Sequence, residues 1–338
     1  MARMEETDKT YTAWGIGEGV HEAAALKPML TPEEQVGLLK AKGITFERCG
    51  EEKAARELSN RDTFLHIAAF RRMFQRHTDG ENAGKYVELD FADLLDMELL
   101  DSEVRRGFLL ASQDVERVVK TRLMERISAE PGEDGYGILA DFLEGQTKSF
   151  RKSIARNLES RAEKPGGGDE YTGSLIAHYG SAMPTWVFLE VVPFGTKLAF
   201  YLFCANRWDD RAMRQKHSAL TEAKAVRNCC SHGSCLINGF SEGKTSAYET
   251  PHFVIEWLEE HGFKRGKSRR AKMGNRRTQQ LVACLALLDD CGDYASSATL
   301  DSMRSLKGSL EDRAGRYGQE NSFVSYLSFM ARAIDSMT

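Results

Sequence analysis

Between Phe91 and Ala129, apolar residues recur at three- and four-residue steps with no proline to interrupt them: Leu94, Leu95, Leu99, Val104, Phe108, Val115, Val118, Val119 and Leu123. That spacing gathers side chains on one stripe of a 3.6-residue helix and cannot alternate across a strand. The segment is the longest periodic element in the chain, and Pro131-Gly132-Glu133-Asp134-Gly135 stops it. Helical periodicity dominates elsewhere too, and β-branched runs of period two are almost missing. The expected fold class is all-α, a helical bundle.

Punctuation places the other helices. Thr31-Pro32-Glu33-Glu34 combines an N-cap, a proline at the first helical position and a glutamate three residues after the cap, so a helix should run to about Lys42 before Gly43. Further helices are expected over Asn60 to Arg76, Leu143 to Arg161, Ala212 to His232, Pro251 to His261, Gln279 to Asp290 and Ser322 to Ser336. The apolar run from Thr185 to Phe203 should be buried and broken at Pro193. Lys164-Pro165-Gly166-Gly167-Gly168-Asp169 reads as a flexible linker or a surface loop, and residues 238–250 as a loop. A length of 338 residues permits one composite domain, which we divide into an arm (1–26), a core (27–250) and a C-terminal helical extension (251–338).

The N-terminus is polar, without the apolar core of a signal peptide, and no apolar run is long enough to span a bilayer, so a cytoplasmic protein with no membrane partner is expected. Seven scattered cysteines fit reduced thiols used as small hydrophobes. The net charge of −4 conceals an asymmetry: Lys264, Arg265, Lys267, Arg269, Arg270, Lys272, Arg276 and Arg277 fall in one window without an acid. Such a window is the electrostatic footprint of a phosphate-backbone contact, or else a solvated loop.

The segment Arg227-Asn228-Cys229-Cys230-Ser231-His232-Gly233 carries the candidate chemistry. Its Arg-x4-His spacing recurs at Arg61/His66 and Arg72/His77, with a longer version at Arg211/His217, so context must discriminate. On an unbroken helix the two side chains would lie about 140° apart. Gly233 is placed to end the helix in an αL cap, and the partial negative charge of a helix C-terminus favours an imidazolium at His232. RNA suits such a site because its 2′-hydroxyl is an internal nucleophile; cleavage to a 2′,3′-cyclic phosphate needs a base, an acid and a cation on the phosphate. No metal or other cofactor is called for. One His and one Arg do not fill all three roles, so two copies across a twofold axis, or a second degenerate copy within the chain, would complete the site. The plainer alternative is a helix end whose Arg pairs with an acid such as Glu222. A zinc site from Cys229, Cys230, His232 and Cys235 would need adjacent helical cysteines to converge although they diverge by about 100°.

Four blocks in order resemble the Abi-like (AbiD/AbiF type) abortive-infection family, within the HEPN superfamily of α-helical ribonucleases. They are Lys27-Pro28-Met29-Leu30-Thr31-Pro32-Glu33-Glu34-Gln35; Val115 to Leu123; Pro184-Thr185-Trp186-Val187 through Glu190 to Phe194-Gly195; and Arg227-Asn228-Cys229-Cys230-Ser231-His232 leading into Leu236-Ile237-Asn238. The family's second His, an Arg and a Trp after the catalytic His are replaced here by Gly233, Cys235 and Ile237. The resemblance implies a HEPN-like bundle acting as a metal-independent endoribonuclease in anti-phage defence. Arg227 would stabilise phosphate, His232 would act as general acid or base, and Asn228 would orient them. Arg122 and Lys120 could contact RNA, Glu116 could face the groove, and the segment 264–277 could add phosphate contacts. Glu190 is expected buried and paired, with Trp186 and Phe194 in the core. A HEPN module that binds a dedicated non-coding RNA without cutting it, or a toxin–antitoxin component, fits the same blocks. RNA and a second copy of the chain are the expected partners.

Overall fold

The computed structural model describes residues 28–240, 246–318 and 321–337. The arm expected over residues 1–26, and Lys27 of the first family-like block, lie outside the described residues. Among those described there are fifteen α-helices and no strand. No helix is long and apolar enough to cross a membrane.

The N-terminal helices are α1 (Pro32–Ala41), α2 (Glu51–Asn60) and α3 (Phe64–Ala69). The expected capping box is present in α1, where Thr31 and Glu34 each accept the other's backbone N–H. The helix expected over Asn60 to Arg76 is corrected. Thr63 accepts the His66 N–H and starts a separate short α3, which tightens into a 3₁₀ turn at Phe70–Met73.

The long helix α4 (Phe91–Ala129) has the expected bounds, with Asp90 as N-cap. At about 1.5 Å per residue it is close to 60 Å long, and it is the spine of the bundle. Leu94, Met97, Leu100, Val104, Phe108, Ala111, Val115 and Val118 are buried along it, and Leu99 lies off that stripe at 38% exposure. Gly107 keeps a helix-weakening residue in its interior because a Cβ there would meet Met303 and Leu306 at 3.3 and 3.4 Å.

Next come α5 (Gly137–Glu144), α6 (Lys148–Arg161), α7 (Gly173–Tyr179), α8 (Thr185–Val191), α9 (Phe194–Arg207) and α10 (Arg211–Ser231). Thr147 caps α6 and separates it from α5, where one helix from Leu143 was expected. The 164–169 segment is a surface loop pinned by Arg161, whose guanidinium reaches Asp169, Thr172 and the Val191 carbonyl. The break at Pro193 falls as expected between α8 and α9.

The last helices are α11 (His252–Glu260), α12 (Lys267–Met273), α13 (Arg276–Asp290), α14 (Ser297–Arg316) and α15 (Ser322–Asp335). Neither α14 nor α12 was expected. The 251–338 segment completes the bundle, because Leu281, Leu285, Met303, Leu310, Leu327 and Met330 belong to the same hydrophobic core as Phe91 and Phe108.

Ion pairs fix the directions. At one end of α10, Arg126 of α4 binds its N-cap Asp210; beyond the other end, Leu236 and Ile237 donate to Asp101 of α4, so α10 runs antiparallel to α4. Arg277 reaches the Leu236 carbonyl and Arg122 reaches Asp290, which sets α13 parallel to α4.

Candidate functional site

Asp210 starts α10 by accepting the Met213 N–H, and Gly233 ends it at φ +66°. The N–H groups of Gly233 and Ser234 return to the carbonyls of Cys230 and Cys229 at 3.2 and 3.0 Å, a Schellman closure with His232 as C-cap. Glycine is required here because the left-handed region costs other residues about 1–2 kcal/mol. The imidazole of His232 is exposed, as are Asn228 and Ser231.

Counting about 100° per residue, Arg227 and His232 stand about 140° apart around α10, with Asn228 and Ser231 in the arc between them. Arg227 is half-buried, and its Nε is buried without a hydrogen-bond partner. Among the described residues its side-chain hydrogen-bond contact is Asn228 Oδ1, at 3.5 Å, too long to hold it firmly. Glu222, the acid expected to pair with it, binds Arg276 of α13 at 2.7 Å instead. Among the described residues no carboxylate pairs with the Arg227 guanidinium, and the His232 imidazole is exposed farther round the same helix.

The loop leaving α10 is fixed more firmly than the arc itself. Asp101 is fully buried, accepts the Leu236 and Ile237 N–H groups at 2.8 Å each, and pairs with Arg105. Arg277 closes over the same loop, donating to the carbonyls of Cys235 and Leu236 and to Asn238. A Cβ on Gly239 would sit 2.7 Å from that arginine.

His66, Asp101 and Cys235 form the one group of potential metal ligands among the described residues, within 4.8 Å of one another. The group does not fit a metal. Arg105 already places its guanidinium 2.8 Å from His66 Nε2 and against Asp101, and burial pushes the Cys235 thiol up to about 12. The four groups weighed for zinc do not converge: Cys230 is buried, with its thiol pushed up to about 12 by burial, and Cys229 approaches the Ser234 carbonyl.

Arg122 and Lys120 do not join the arc. Arg122 binds Asp290 and caps the end of α13, and Lys216 of α10 shares that carboxylate at 2.8 Å. Lys216 precedes His232 by sixteen residues, which is about 24 Å along the helix. Lys120 binds Glu190 at 2.6 Å, and Glu116 binds Lys197 at 2.6 Å. The expectation of a buried Glu190 is corrected, since its side chain is 52% exposed. Trp186 is corrected likewise: it stands 47% exposed, edge-on to Tyr136, whereas Phe194 is buried as expected.

The basic window is neutralised only in part: of its eight cations, Arg265, Arg269 and Arg276 pair with carboxylates. Glu259 on α11 receives Arg265 in a two-pronged pair and Arg269 at 3.2 Å, and these hydrogen bonds hold its carboxyl down to about 2. Lys272 is buried against Ser325 and Tyr326, Arg276 serves Glu222, and Arg277 serves the exit loop. Lys264, Lys267 and Arg270 remain exposed, and no acid pairs with them among the described residues. The acids that neutralise this window lie outside it in sequence.

Of the other Arg/His pairs, Arg61 binds Glu98 and His66 contacts Asp62 and Arg105; His217 is half-buried against Tyr201; Arg72 and His77 are exposed but outside any α-helix. Among these pairs in the described residues, Arg227/His232 is the one whose histidine is exposed on the same α-helix as its arginine, the two standing about 140° apart.

The model of the Abi-like protein family matches residues 59–238, more than half of the chain and ending within the loop that Asp101 and Arg277 hold. No curated protein and no solved structure matches the chain.

Proposed function

Because the chain belongs to the Abi-like protein family, which links it to abortive-infection defence, we propose that it acts there on RNA, as a HEPN-type, metal-independent endoribonuclease. The observation that carries this is the unpaired Arg227 beside the exposed His232 on one arc of α10. A guanidinium left without a carboxylate is available to a phosphate, which it binds with two parallel hydrogen bonds. The His232 imidazole, exposed and without a partner among the described residues, takes a proton from the 2′-hydroxyl or gives one to the leaving 5′-oxygen. One chain offers one imidazole for two proton transfers, so a second copy facing the first would supply the other. The same face without cleavage would make an RNA-binding module, or the RNA-facing half of a toxin–antitoxin pair. The replacement of the family's second His by Gly233 favours that alternative.

The test is labelled RNA incubated with the full chain in EDTA, beside His232→Ala and Arg227→Ala. Cleavage by the wild type that falls about 10²–10⁴-fold in His232→Ala, and comparably in Arg227→Ala, is expected. Cleavage that requires a divalent metal, or that survives both substitutions, overturns the ribonuclease. Tight binding without cleavage leaves the binding module.

A further inference from the structure

Lys224 lies one turn before Arg227 and Asn228 on α10, inside the arc that Arg227 and His232 bound. It is half-buried, and no acid pairs with it among the described residues. Its Cδ and Nζ both lie 3.7 Å from where a Cβ of Gly195 would stand, which lays the ammonium against the first turn of α9. That turn carries no side-chain cap, so its free N–H groups add partial positive charge beside the lysine. Glu116 of α4 is engaged by Lys197 of α9 at 2.6 Å. Two like charges are thus held together in a half-buried place, an arrangement that an anion relieves.

We propose that Lys224 is a second phosphate contact, holding the phosphate next to the one at Arg227, so that the RNA strand runs along α10 from His232 toward the start of α9. This rests on the RNA function proposed above. Asn228 and Ser231, both exposed, lie in the arc between Arg227 and His232. Lys224 is a positioning residue: it fixes the strand and takes no proton in the cleavage step.

The experiment uses the full chain and a single-stranded RNA methylated at every 2′-oxygen, which removes the nucleophile. Binding is measured across a salt series for wild type, Lys224→Ala and Lys224→Arg. Loss of one phosphate contact should weaken Lys224→Ala several-fold at 0.15 M salt and reduce the slope of log K against log salt by about 0.7. Lys224→Arg should keep the wild-type slope. On cleavable RNA, Lys224→Ala should raise KM and leave kcat near wild type. An unchanged slope in Lys224→Ala, or equal losses in the alanine and arginine variants, overturns the inference. If the slope is unchanged while Arg227→Ala and His232→Ala abolish cleavage, only this inference falls. If the wild type neither binds nor cuts RNA, both fall.

Discussion

The two ends of α10 treat charge in opposite ways. At its start Asp210 binds Arg126, and Lys216 shares Asp290 with Arg122, so these three cations have carboxylates, although the exposed Arg211 is not among them. At its finish Lys224, Arg227 and His232 have none among the described residues, although Glu222 lies on the same helix. Arg276 takes that glutamate. The difference shows that α13 decides which end keeps cations without carboxylates: its last residue, Asp290, neutralises cations at one end, and its first residue, Arg276, removes the acid from the other.

The largest effect should come from Asp101→Ala. It strips two backbone N–H groups and Arg105 of their buried acceptor, and should lower the unfolding free energy by about 3 kcal/mol or more in a denaturant titration. A loss under about 1 kcal/mol would mean that the exit loop is held by Arg277 alone. At the opposite end, Asp290→Ala frees two partly exposed cations and should cost about 1 kcal/mol. RNA cleavage should not change; if it falls with Asp290→Ala, the two ends are not separate and the comparison breaks.

The smallest effect concerns His217, midway along α10. Burial first, and the charge of Lys224 second, push its pKa below the ordinary 6.5. The folded state therefore binds its proton less readily than the unfolded chain does. Stability from this group is whole above pH 6.5 and declines as pH falls below it. The unfolding midpoint should drop between pH 7.5 and 5.5, and His217→Gln should flatten that part of the profile. Asp210, held below 3.8 by the Met213 N–H and by Arg126, contributes above the ordinary carboxylate range and is lost only as pH falls beneath it.

The bounds of α4 and α10 were legible because an unbroken apolar period and a terminal glycine are local signals. The same logic failed where a boundary depends on a single side chain, as at Thr63 and Thr147. It missed α14, whose buried Thr299, Met303, Leu306 and Leu310 keep the helical period but are diluted by charged neighbours. Glu190 was misplaced because α8 buries most of its surface but not all, and one polar residue faces out of an apolar run. Arg227 and His232 stood out as candidates through Gly233 and the family-like block, since the bare spacing recurs elsewhere in the chain. Which cations are free was not, because Arg122, Arg265, Arg276 and Arg277 find partners from 6 to 168 residues away. Pairing at such range belongs to the fold.

Arg277 also orders events in time. It clamps a loop that leaves the ribosome about forty residues before it does, so at about 5–20 residues per second that loop waits on the order of 2–8 s for its clamp. During that interval a nascent chain already contains Arg227 and His232 but not the arginine that holds their exit loop in place. A translation product cut short before α13 would carry the same gap permanently, and would keep Glu222 without Arg276. Completion of the protein is thus a condition for the finished arc, and a stalled ribosome would release the motif without its setting.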